Sequence, residues 1–200
     1  MFKKKPLITH VPDDAHLIEK IPGSAFKKGQ TLEVPAGHEA LLFGADGTQQ
    51  ILKNVNAQKL EADVQYVYLA KSNRKVIRTN WGTPNRIRIQ TDVGPQTFGA
   101  FGYVEFQLVN PIRYVSTRME TNDFADEATL SKLVLSRIPD ALHRIIPEIE
   151  PIVSSEESKS TLKLKQALTP VMEQELSGMG IQVQSLVVEN VNFQAIKEDN

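Results

Sequence analysis

Over the first two thirds of the chain, apolar and polar residues alternate with a period of two, the pattern of strands with one buried face. Thr31-Leu32-Glu33-Val34 alternates until Pro35-Ala36-Gly37 breaks it. His38–Gly44 and Thr48–Lys53 follow, separated by Ala45-Asp46-Gly47. An Asp-Gly pair between extended runs predicts a hairpin, because Gly accepts the positive φ that such turns require. Asp63–Ala70 is a further extended run, and Lys71-Ser72-Asn73-Arg74 turns the chain toward Val76-Ile77-Arg78. In Arg86-Ile87-Arg88-Ile89-Gln90 the isoleucines face one way and the polar groups the other. Beyond Asp92–Gln96, one face of the next strand carries Phe98, Ala100, Val104, Phe106 and Leu108. Gly99 and Gly102 among those aromatics predict a bulge or a close backbone approach. Asn110-Pro111 ends the run.

The period then changes. Leu130, Val134, Ile138, Leu142 and Ile145 recur at helical spacing after a cap expected at Asp123, with Asp126 and Glu127 in the first turn. Pro139 inside this stripe is expected to kink or split the helix, since its nitrogen cannot donate. Residues 147–155 read as a linker, and Ser154 with Glu157 has capping-box spacing. Leu164, Leu168, Val171/Met172 and Leu176 form a second stripe that stops at Gly178-Met179-Gly180. Ile181-Gln182-Val183-Gln184 alternates again, and Leu186–Phe193 is mostly apolar, so a last strand returns to the sheet. The fold class is therefore α+β: a curved, mainly antiparallel sheet, then two helices and a returning C-terminal strand. Residues 1–25 are expected to be a partly ordered N-terminal extension, and 26–196 the folded domain.

Composition narrows the chemistry. The 200-residue chain has no cysteine, which excludes disulfides, thiolate metal sites and cysteine nucleophiles. No run approaches the ~20 apolar residues that a membrane-crossing helix needs. Lys3, Lys4 and Lys5 follow Phe2, and no hydrophobic segment follows them, so this is not a signal peptide. The tip suits either a solvated tail or a weak peripheral contact with anionic lipid. The formal charge is −1, but it is unevenly spread. Lys71, Arg74, Lys75, Arg78, Arg86 and Arg88 form a basic section free of acids, whereas Glu120, Asp123, Asp126 and Glu127 open an acidic one. Two such poles suit head-to-tail self-association, and they equally describe ordinary surface variation.

The search for catalytic or ligand-binding patterns returns little. His10 and His16 flank Asp13 and Asp14 at a spacing that matches no structural zinc pattern. His38 beside Glu39 heads a strand, where adjacent side chains diverge, and His143 beside Arg144 lies on the polar side of a helix. Glu105 is isolated in an aromatic strand and is expected to pair across strands with Arg86 or Arg88. Gly44-Ala45-Asp46-Gly47-Thr48 lacks the Lys-Ser/Thr pair and the following helix of a phosphate loop, and the glycines at 94, 99 and 102 precede a strand. Trp81 among the arginines resembles a nucleic-acid surface, but a near-neutral chain is poorly suited to binding phosphates. Trp81-Gly82-Thr83-Pro84 instead predicts a packed corner. No enzyme, cofactor or nucleic-acid partner is expected.

With these residues in view, the chain resembles the SPFH or band 7 superfamily of stomatins, prohibitins and flotillins. More closely, it is similar to the bacterial branch labelled virion core protein-like. The resemblance rests on Thr31–Ala40 with Gly44-Ala45-Asp46-Gly47, on Asn80-Trp81-Gly82-Thr83-Pro84 with Ile87-Arg88-Ile89, and on Phe98–Phe106 with Asn110-Pro111. The two helices and Gly178–Val183 complete the order. It implies a scaffold domain that self-associates and organises partner proteins near membranes, with no catalytic residues. The expected location is cytoplasmic, peripheral at the inner face of the membrane. The expected contact surface is Arg74, Lys75, Arg78, Arg86 and Arg88 with Glu120, Asp123, Asp126 and Glu127; Phe2 and Lys3–Lys5 would touch lipid. Two other readings are weighed: a lipid-binding module acting through that tip, and an enzyme whose pocket would join Glu105, Arg86 and His38. Relatives often continue into a helical tail or a zinc-binding segment, which residues up to Asn200 do not include.

Overall fold

The computed structural model describes residues 7–53, 58–60, 64–119, 122–149 and 157–196. In chain order the elements are β1 (Leu7–Ile8), β2 (His16–Pro22), β3 (Thr31–Leu32), β4 (His38–Gly44), β5 (Gln49–Lys53), β6 (Gln58–Lys59), β7 (Val64–Lys71), β8 (Ile77–Gly82), β9 (Ile87–Thr91) and β10 (Gly94–Leu108). They continue with α1 (Pro111–Arg118), β11 (Phe124–Asp126), α2 (Glu127–Ile149), α3 (Glu157–Ser177) and β12 (Ile181–Ala195). The α+β order of the sequence reading holds, with an additional helix, α1. The chain forms two compact units: residues up to Lys75 with Asn110–Thr129, and Val76–Val109 with the residues from Leu130 onward.

In the first unit a five-stranded antiparallel sheet runs β11-β2-β7-β4-β5. A small sheet, β1-β3-β6, accompanies it. Register decides which residues share a face. Ile21, Val67, Leu69, Ala40, Leu42 and Leu52 fall on one face, and they pack with Phe26, Leu32, Val34 and Leu60 into a single cluster. The opposite face carries the buried Ile18, Leu41, Tyr68 and Ala70. There the Tyr68 hydroxyl donates to the Met119 carbonyl just after α1, at 3.4 Å. The β4–β5 hairpin turns where expected: Gly47 has φ +83°, and the Asp46 carboxylate accepts from the Thr48 N–H and hydroxyl at 3.0 and 2.7 Å. β2, whose residues fall within the expected N-terminal extension, lies between β11 and β7.

One helix start in this unit is unexpected, and one expected cap is corrected. Asn110-Pro111 closes β10 and also opens α1, with the Asn110 side chain accepting from the Arg113 N–H at 3.1 Å and Pro111 in the first turn. The cap of α2 is Asp126, not Asp123. Asp126 accepts from the Thr129 N–H and hydroxyl at 2.7 and 2.6 Å. Asp123 is committed to the sheet instead, its carbonyl accepting from the Lys20 N–H at 2.7 Å.

In the second unit β10 is the spine. It pairs with β12 from Gln96↔Ala195 to Leu108↔Ile181. Its other edge is shared by β8, opposite Phe101–Phe106, and β9, opposite Gly94–Phe98. Burial alternates strictly along residues 101–108. β12 pairs with a register shift at Phe101/Gly102, and a Cβ on Gly102 would sit 2.0 Å from the Val187 carbonyl oxygen. The bulge expected near the glycines is therefore supplied by β12, and it requires glycine opposite. The predicted stripes are buried at Leu130, Val134, Ile138, Leu142 and Ile145, and at Leu164, Leu168, Met172 and Leu176. α3 packs on β12. Of the kink or split expected at Pro139, the split does not occur: α2 is one helix through both Pro139 and Pro147. Proline's fixed φ is itself helical, so the ring removes one hydrogen bond without ending the element. Ser154 and residues 150–156 lie outside the described residues.

Candidate functional site

The Trp81-Gly82-Thr83-Pro84 corner fills the gap between β8 and β9. The Thr83 N–H donates to the Ala100 carbonyl at 2.9 Å, and the Ala100 N–H donates to the Thr83 hydroxyl at 3.2 Å. Thr83 thus continues β10's ladder across the change of partner, while Trp81 is buried beneath it. Beside this corner a groove of about 520 Å³ opens between Thr83–Arg88 and the α2 side chains Pro139, Leu142, His143, Ile146 and Pro147. That volume falls in the range of ordinary ligand sites. Its lining is apolar except for Thr83, Asn85, Arg86, Arg88 and His143; it includes no carboxylate.

The structure disperses the sequence-predicted contact residues. Arg74 reaches Glu39 at 3.4 Å, and Lys53 reaches the same carboxylate at 3.2 Å. The Glu39 side chain is 3% exposed, so Arg74 neutralises a buried charge within its own unit. Lys75 pairs with Glu127 at 3.0 Å, joining one residue from each presumed pole within the same chain. Arg78 stacks over the Tyr103 ring, 3.5 Å from its centroid. Arg86 donates to the Asn192 side chain. Arg88 is exposed. Glu120, Phe2 and Lys3–Lys5 lie outside the described residues.

Glu105 pairs with Arg78 at 4.0 Å, not with Arg86 or Arg88. The reason is register: Arg78 is the direct partner of Glu105 on β8, whereas β9 pairs only with the earlier part of β10. The pocket that would join Glu105, Arg86 and His38 does not form around the groove: it holds Arg86 but neither of the others. The His38 Nδ1 lies 3.1 Å from the Ala36 carbonyl in the first unit.

Sequence reading missed one cluster. Glu19 binds His10 at 2.6 Å and His16 at 3.1 Å, and its second oxygen also accepts from the Asp13 N–H at 3.0 Å. Burial pushes the Glu19 carboxyl up, but the Asp13 N–H and the two histidines outweigh it and hold the group below its ordinary value. The usable signal was position. His16 and Glu19 sit on one short strand with His10 just before it, whereas Asp13 and Asp14 are the nearer carboxylates in sequence. Among the described residues, no group of three or more His, Cys, Asp or Glu is placed to hold a metal ion.

Residues 58–198 match the model of the SPFH domain-Band 7 family. The chain belongs to this family. The match takes in the whole second unit as far as residue 198, including the corner, the β10–β12 ladder and both long helices. Members of the SPFH family are in general membrane-associated, scaffold-like proteins. Among the described residues of this SPFH chain, no helix is long and apolar enough to cross a membrane. No curated protein matches the chain.

Proposed function

We propose that this SPFH domain is a non-enzymatic scaffold that self-associates and organises partner proteins at a membrane surface. The family match over residues 58–198 carries the reading. Within the family, the Trp81–Pro84 corner and the glycine-aromatic strand Phe98–Phe106 support the virion core protein-like branch. The expected setting is cytoplasmic, peripheral at the inner face of the membrane, with Phe2 and Lys3–Lys5 as the lipid-facing tip. Of the basic residues, Arg88 suits intermolecular contacts best, because Arg74 and Lys75 are engaged with Glu39 and Glu127, Arg78 with Glu105 and Tyr103, and Arg86 with Asn192. Contacts between unlike faces are heterologous and close into rings or extend as filaments.

Light scattering on the full chain tests this directly. Wild type should run as an assembly, and Arg88→Ala should shift it toward monomer. A wild-type monomer at every concentration would refute self-association. Co-sedimentation with phosphatidylserine vesicles, with and without residues 1–5, tests the lipid contact; equal pelleting of both forms would remove the tip from it.

A further inference from the structure

β9 is paired on one side only: among the described residues its ladder partner is β10 alone. In an antiparallel pair, alternate residues exchange both hydrogen bonds, while those between them turn their N–H and C=O groups outward. The two-residue turn makes Thr91↔Gly94 a hydrogen-bonded pair, so Ile89 and Ile87 are bonded to β10 as well. Arg88 then directs its main-chain N–H and carbonyl away from the sheet. This stretch of backbone is one wall of the groove whose other wall is Pro139, Leu142, His143, Ile146 and Pro147. A free strand edge facing an apolar helix is the setting in which an extended peptide adds as a further strand.

The side chains specify what kind of peptide. Arg88 lies on one face of β9 and Ile87 on the other, while Arg86, just before the strand, is tied to Asn192 on β12. Arg88 is exposed, and the lining includes no carboxylate to satisfy it. We infer that this groove receives an extended segment of a partner protein by strand addition along β9, with acidic residues alternating with apolar ones. One of the acids faces Arg88 as its direct cross-strand partner in an antiparallel pair. The apolar residues fill the space lined by Ile87, Leu142 and Ile146. This inference deepens the scaffold reading and rests on it, since it names how a partner would be held.

The test uses the full chain and a fluorescein-labelled peptide of sequence Val-Glu-Ile-Glu-Val, read by anisotropy. Wild type should bind it, and methylating the amide nitrogens of the peptide's two glutamates should weaken binding at least tenfold, because in antiparallel addition the residue opposite Arg88 is the one whose N–H reaches β9. Arg88→Glu should weaken it by a similar factor, with part of the loss recovered by Val-Lys-Ile-Lys-Val. Circular dichroism on Arg88→Glu confirms that the exposed substitution leaves the fold intact. No binding of the parent peptide, or binding of the methylated peptide within twofold of it, overturns the inference. So does displacement of the peptide by decanoate at the same concentration as by unlabelled peptide, which would mark an acyl-anion groove instead. Light scattering of unliganded wild type is recorded on the same sample. A monomer that binds the peptide would sink self-association and leave strand addition standing, whereas an assembly indifferent to the peptide would do the reverse.

Discussion

The two units solve the burial of polar groups differently. The second unit buries apolar side chains along one long ladder; among the described residues its buried polar side chains are the uncharged Thr91 and Ser160, with a half-buried carboxylate, Glu175, paired to Arg144 at 2.6 Å. The first unit has shorter strands and buries a carboxylate, Glu39, between Lys53 and Arg74, while half-buried Glu19 is held by two histidines and a backbone N–H. Short strands offer less apolar area, and charge-assisted contacts then carry a larger share of specificity. The second unit should therefore respond mainly to changes of volume, and the first to changes of charge and pH.

Phe106→Ala strikes the ladder at a fully buried position and should cost about 4 kcal/mol, seen as a lower urea midpoint by circular dichroism. Gly102→Ala should cost about 3 kcal/mol, because the new methyl meets the Val187 backbone and not a movable side chain. Hydrogen exchange by segment should show both losses centred on β10 and β12. Arg74→Ala should cost about 2 kcal/mol, less than a fully broken buried pair, because Lys53 still neutralises Glu39. Its increased exchange should fall on β4, β5 and β7; an effect spread evenly over both units would erase the contrast. Asp126→Ala should cost about 1 kcal/mol by removing the cap of α2.

The smallest effect is a pH dependence. The Glu19 carboxyl is held below its ordinary value, so its stabilising contribution is complete above that value and is lost as pH falls through the depressed folded-state value. Exchange in β2 should accelerate over that acidic window in wild type, and Glu19→Gln should flatten the response. An unchanged profile in the variant would show that Glu19 is not the sensing group.

Much of the second unit could be read before any coordinates, because period-two alternation and helical stripes are imposed by burial of one face. Ile87 and Ile89, Phe98–Leu108 and Leu130–Ile145 all fell where those periods put them. Short elements escaped. The α1 helix has only Asn110 and Pro111 to announce it, and the same pair serves equally well as a strand stop. Asp123 and Asp126 are both competent caps; only the pairing of Phe124–Asp126 with β2 decides between them. The groove was half legible. Its corner stood out in Trp81–Pro84, but its second wall lies more than fifty residues later on α2, and no local pattern links them. The partner of Glu105 was missed for a related reason: alternation identifies a face, but only register identifies a neighbour.

The β10–β12 ladder also has a bearing on synthesis. Its two strands are separated by the whole of α1, β11, α2 and α3, and every pair in it joins residues more than seventy positions apart. During translation β10 must wait, with the edge that β12 will take unpaired, until residues 181–195 have left the ribosome. The first unit waits for less: the edge of β2 is open until β11 emerges at Phe124–Asp126, and nothing beyond Thr129 is needed. The order of emergence thus favours a chain whose first unit is formed while its second is still open, and for that interval an extended strand edge is available to whatever meets it first.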